Sequence, residues 1–129
     1  MKWCGRCLFV SPYRIGFADT ERALQREMRR LKVPEHNWPK FPGPDVHAKV
    51  CTFEAVGKDP LAIVILGSTK GRSGVEIASS LVHESVHVWQ YIRKYIGESK
   101  PSKEFEAYAI QNIAETLMQA YADTLKRRA

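Results

Sequence analysis

The run His83-Glu84-Ser85-Val86-His87 holds the residues whose types and spacing best support chemistry. On an α-helix four residues make about one turn, so both imidazoles project from one face, about 6 Å apart along the axis. Two neutral imidazoles placed in this way can take adjacent corners of a zinc tetrahedron. Glu84 lies about 100° around the helix from His83. That is too far round for a natural third ligand, yet within reach of a water held by the metal. The helical wheel centres the apolar stripe on Ile77, Leu81, Val88 and Ile92, with His83 and His87 beyond its edge and Glu84 inside it. A carboxylate on a core-facing stripe is costly unless it has a partner or a task. The competing account is a pair of ordinary histidines beside an incidental carboxylate.

A catalytic zinc needs a third protein ligand and an open fourth position. A third histidine in the pattern HExxHxxGxxH would fall at 93, but the chain has Arg93 there, and Gln90 where that pattern needs glycine. The remaining choice is a carboxylate from another element: Glu98, Glu104, Glu106, Glu115 or Asp123. The last helical segment has an apolar stripe of Ala109, Ile110, Ile113, Leu117, Ala120 and Tyr121. Glu106 sits at its centre, Glu104 and Glu115 point away, Asp123 lies to the side and Glu98 belongs to a turn. Glu106 is the expected third ligand. The competing account for it is a buried ion pair with an arginine such as Arg93. In the mechanism this predicts, Glu84 accepts a proton from the attacking water and returns it to the leaving amine. Tyr91, His47, Tyr13 and Tyr108 are all candidate donors to the oxyanion.

His83 to His87 followed by Phe105-Glu106-Ala107-Tyr108-Ala109 resembles the gluzincin branch of zinc metallopeptidases, in which a glutamate on the next helix completes the site. The stretch Leu81 to Gln111 looks more closely like small metallopeptidase-like proteins encoded by bacteriophages. The resemblance implies bound zinc, hydrolysis of a peptide or protein substrate, a zincin-like fold and a sheet edge beside the cleft. It covers about 30 of the 129 residues. The chain departs from the larger gluzincins in lacking a second lobe, and in Ile110 at a position where they often carry a supporting aspartate. A different class of function, a zinc-stabilised binding or virion-assembly protein without hydrolytic activity, is the alternative. Glu84 separates the two, since only hydrolysis has a use for it.

A second constellation is Cys4-Gly5-Arg6-Cys7 with His47 and Cys51, which could form a Cys3His structural zinc site or be ordinary buried thiols. Three cysteines, an odd number, argue against a disulfide framework and suit a reducing compartment. Charge and turn residues at the N-terminus argue against a cleaved export signal and for a cytoplasmic location, that of the host cell for a phage protein. The longest apolar run, Leu61 to Leu66, is strand-sized, so no membrane span is expected. The net charge of +6 permits contact with nucleic acid, but the basic residues are scattered along the chain and no nucleic-acid motif accompanies them.

At 129 residues and 44% hydrophobic content the chain can bury one core, so a single domain over 1–129 is expected. Residues 1–18 read as irregular, with a short strand at Leu8-Phe9-Val10. Asp19 can cap a helix running to about Leu31, and the proline-rich stretch from Pro34 to Asp45 reads as an extended loop. Val46 to Glu54 and Leu61 to Leu66 pattern as two strands, expected to form a hairpin. Ser73 and Glu76 form a capping box that opens a long helix ending near Ile96, with Gly97 as its left-handed stop. Pro101 opens a last helix to about Lys126. The expected class is α+β: N-terminal helix, hairpin or small sheet, the histidine-bearing helix and a C-terminal helix.

Overall fold

The computed structural model describes residues 1–4, 11–54 and 58–128. Its elements are β1 (Lys2–Cys4), β2 (Arg14–Ala18), α1 (Glu21–Arg30), a short 3-10 turn (Glu35–Asn37), β3 (Ala48–Phe53), β4 (Leu61–Leu66), α2 (Gly74–Tyr95) and α3 (Lys103–Arg128). The class is α+β, with a small mixed sheet and three helices. The strand order is β1-β2-β4-β3. β3 and β4 pair antiparallel as expected, from Ala48 opposite Leu66 to Phe53 opposite Leu61.

The first eighteen residues depart from their sequence reading. β1 and β2 form an antiparallel pair, and β2 lies parallel to β4 at the centre of the sheet. The strand expected at Leu8 to Val10 lies outside the described residues. The cap of α1 is also one residue later than expected. Thr20 accepts from the Ala23 N–H at 3.1 Å, while Asp19 pairs with Arg128. A 3-10 turn interrupts the loop expected to be wholly extended.

β4 shows why its sequence is apolar without alternation. Ala62, Val64 and Leu66 pack towards α2 and α3, and Ile63 and Ile65 towards α1. All five are fully buried, the pattern of a strand covered on both faces. α1 places Leu24 and Met28 on that second layer. On the opposite face Leu81, Val88, Trp89 and Ile92 of α2 join Ala109, Ile113 and Leu117 of α3 against Ile15, Phe17 and Val64. Burying side chains of this kind stabilises by about 1.5–3 kcal/mol each, which fixes α2 rigidly over the sheet. The capping box is present: Ser73 Oγ accepts from the Glu76 N–H at 3.1 Å, and Glu76 from the Ser73 N–H at 3.3 Å. Gly97 takes a φ of 73°, the left-handed conformation that ends α2.

Candidate functional site

α2 carries His83, Glu84 and His87 along its flank nearest β3. The cleft between them is lined by Ala48, Lys49, Val50, His83, Glu84, His87 and Tyr91. It continues into a cavity of about 390 Å³ bounded by Asp45, Val46, His47, Ser79, Ser80, His83 and Glu84. The two imidazoles meet edge to face, with Nε2 of each 3.2 Å from the other. That separation bears on a metal. Zinc–nitrogen bonds of 2.0–2.1 Å subtended by 3.2 Å give an angle of about 103°, close to tetrahedral. His87 Nδ1 lies 2.9 Å from Gln90 Oε1. This contact suits the tautomer protonated at Nδ1, which leaves the Nε2 lone pair facing His83.

Glu84 is buried, 6% exposed. Burial pushes its carboxyl above the ordinary carboxylate range, with His83 and His87 pulling the other way. A carboxyl tuned upwards beside two imidazoles is suited to taking and returning a proton.

Glu106 is placed differently from its expectation. Its Oε2 accepts from Trp89 Nε1–H at 2.7 Å and lies 3.8 Å from Arg93 Nη1. Taking 100° per residue, Trp89 and Arg93 sit on the flank of α2 roughly 120° from the histidines. α3 docks on that flank, so the carboxylate central to its stripe meets the wrong side of α2 to close the site. The arginine pairing is the competing account, though half-exposed, with side chains 40% and 37% accessible. Among the described residues no three His, Cys, Asp or Glu side chains converge as a metal-binding group. The imidazole pair fits a zinc ion as two of its ligands, and among the described residues no third donor stands with them. Asp45 and His47 are further side chains of a metal-ligating type that line the cleft.

Among the described residues Cys4 and Cys51 do not come together. Cys4 packs into the layer under α2 and α3, Cys51 into the layer under α1, and the two occupy opposite edge strands. Three strand spacings, roughly 14 Å, separate such positions, and Cys7 lies outside the described residues. Burial pushes the Cys4 thiol up to about 11 and raises that of Cys51, so neither offers a thiolate at neutral pH.

Of the expected oxyanion donors, Tyr91 and His47 line the cleft. Tyr13 does not: it is buried, with its hydroxyl donating to Glu54. Tyr108 is half-exposed on α3. The open edge of β3 lies beside the cleft, where the resemblance implied a sheet edge. Gly67 N–H donates to His47 C=O at 2.8 Å, which makes 47 and 67 a hydrogen-bonded pair. Alternation in an antiparallel ladder then turns the backbone N–H and C=O groups of Ala48, Val50 and Thr52 away from β4. Among the described residues no strand lies beyond β3, so no sheet partner takes up this row of groups beside the cleft that holds His83 and Glu84. No protein-family model, curated protein or solved structure matches this chain. Among the described residues no helix is long and apolar enough to cross a membrane.

Proposed function

We propose that this chain is a zinc-dependent hydrolase of peptide or related amide bonds, built on a zincin-like arrangement of one edge strand and one histidine-bearing helix. The observation that carries this reading is the 3.2 Å approach of the His83 and His87 Nε2 atoms with buried Glu84 beside them. His83 and His87 would hold the ion, which supplies polarisation of the scissile carbonyl and a more acidic water. Glu84 takes the proton of the attacking water and hands it to the departing amine. Burial raises the proton affinity of Glu84, the direction that suits a group that must both take and return a proton. The outward N–H and C=O groups of Ala48, Val50 and Thr52 would hold an extended peptide in register beside the helix.

Elemental analysis and peptide-library hydrolysis of wild type and Glu84→Gln test this reading together. About one zinc per chain is expected in both, lost on His83→Ala or His87→Ala. Amide hydrolysis should fall at least about 100-fold in Glu84→Gln, because an amide cannot accept the proton. Wild-type activity in that variant removes Glu84 from the chemistry, and a wild-type chain without zinc affinity at neutral pH ends the reading.

A further inference from the structure

The sequence scatters its basic residues; the fold gathers several of them. Around α1 the buried side chains Leu24 and Met28 define the core-facing line. Arg22, Arg26, Arg29 and Arg30 follow at i, i+4, i+7 and i+8, opposite that line, and all four are exposed. They extend over about 12 Å of helix. The far end of the chain joins them. Arg128 Nη2 lies 2.6 Å from Asp19 Oδ2, just before the start of α1, across 109 residues of sequence. Lys126 and Arg127 belong to the same last turn. Lys70 and Arg128 border one cavity of about 510 Å³ together with Asp19 and Thr20. Arg127 and Arg26 both act on the Met1 amine, whose pKa is lowered first by burial and next by Arg127.

Of the acids here two are engaged, and exposed Glu21 in the first turn of α1 is contacted by Gln25. Glu27 is held by Arg30 and by Trp3 Nε1, and Asp19 by Arg128. Arg22 and Arg26 form no ion pair among the described residues. We infer that the arginine face of α1, continued by the last turn of α3, is a docking surface for the phosphate backbone of a nucleic acid. Four exposed arginines on a helix are by default only a solvated face. The addition of cations from the end of a second helix makes the patch continuous and leaves it short of counter-charge, which is the electrostatic footprint of a polyanion site. Guanidinium groups also fork onto phosphate oxygens in a way ammonium groups do not. A lipid surface fits less well, because a helix lying in a membrane interface buries an apolar face there. The apolar face of α1 is already spent on the sheet, and none of its large hydrophobic side chains is exposed. The α1 part of this surface lies on the opposite side of the sheet from the His83–His87 cleft, and none of its arginines lines that cleft, so this inference stands independently of the proposed hydrolysis.

Fluorescence anisotropy of labelled single-stranded and duplex oligonucleotides, titrated with the protein between about 50 and 200 mM salt, tests it. Engagement of about four phosphates gives a plot of log K against log salt with a slope near −3 to −4. Arg22→Ala with Arg26→Ala should weaken binding about tenfold or more and make the slope shallower by about 2. Lys126→Ala with Arg127→Ala, at a helix end outside the core, should act in the same direction and serves if the first pair misfolds. Absence of salt-dependent binding overturns the inference. So does wild-type affinity in both paired variants, or binding to phosphatidylserine vesicles without binding to oligonucleotides.

Discussion

Replacing Glu106 by alanine separates a structural carboxylate from a metal ligand. In the structure Trp89 is 1% exposed and donates its indole N–H to Glu106 Oε2 at 2.7 Å. A hydrogen bond from a buried donor to a charged acceptor contributes about 1.5–3 kcal/mol. The 3.8 Å approach of Arg93, between half-exposed side chains, adds less than about 1 kcal/mol. Glu106→Ala should therefore cost about 2 kcal/mol, since the buried indole loses its acceptor. Glu106→Gln keeps an acceptor and Arg93→Ala removes only the weaker partner, so each should cost less than about 1 kcal/mol. For a chain of this length 2 kcal/mol lowers Tm by about 8 °C. Thermal denaturation followed by circular dichroism, with a chelator present, reads these differences without any contribution from metal. Zinc content measured on the same preparations should be retained in Glu106→Ala. If that variant instead melts with the wild type in chelator and loses its zinc, the carboxylate belongs to the metal, and the pairing with Trp89 does not describe its role.

Two carboxylates should shape acid stability in opposite directions. The Arg30 hydrogen bond, followed by that from Trp3, holds Glu27 below the ordinary carboxylate range. Its contribution is present above that range and lost as pH falls through the depressed value, so Glu27→Gln should flatten the acid limb of a urea-denaturation series. Glu84 is raised by burial, so metal-free protein should lose stability as pH climbs from the ordinary carboxylate range through the raised value. Glu84→Gln should then be more stable than wild type at neutral pH in chelator, and an unchanged urea midpoint refutes this. Gly67→Ala should cost about 1–3 kcal/mol, because the new Cβ would stand 2.8 Å from Val46 C=O and 3.2 Å from His47 C=O. Both are backbone atoms that cannot swing aside, and they wall the cleft, so hydrolysis should fall as well. A wild-type urea midpoint in that variant counts against the packing described.

The parts of the fold legible in the sequence are those fixed by local rules. The capping box at Ser73 and Glu76, the left-handed Gly97 and the doubly buried β4 each depend on residues within a few positions of one another. β2 was not legible. It is five residues long, and Gly16 interrupts its apolar pattern because the Trp3 indole of β1 lies over it, with a Cβ there meeting the ring at 3.1 Å. That requirement comes from a partner strand, which no window of the sequence contains. The site divides in the same way. One turn of helix sets the spacing of His83 and His87, and the wheel correctly buries Glu84. The wheel also puts Glu106 towards the core, but which flank of α2 it meets depends on how α3 crosses over. Trp89 and Arg93, positioned by that crossing, are its partners. The gathering of Arg26, Arg127 and Arg128 was hidden for the same reason, since about 100 residues separate the segments.

The parallel seam between β2 and β4 has a consequence for how the chain reaches this fold. Arg14 is opposite Leu61 in the seam, 47 residues further along (61 − 14), whereas the β3–β4 pair and the α2–α3 pair are each joined by a short connection. The length-dependent part of closing a 47-residue loop costs about 3.4 kcal/mol, and it must be met before the seam's own contacts form. The two local pairs close short loops, and the β2–β4 seam has the larger entropy of closure to meet. Among the described residues β3 is attached to the rest of the sheet through β4 alone. The groove beside the histidines is walled by β3 and α2, elements that lie on either side of β4 in the chain and touch directly, so it can form from local pieces before the seam closes.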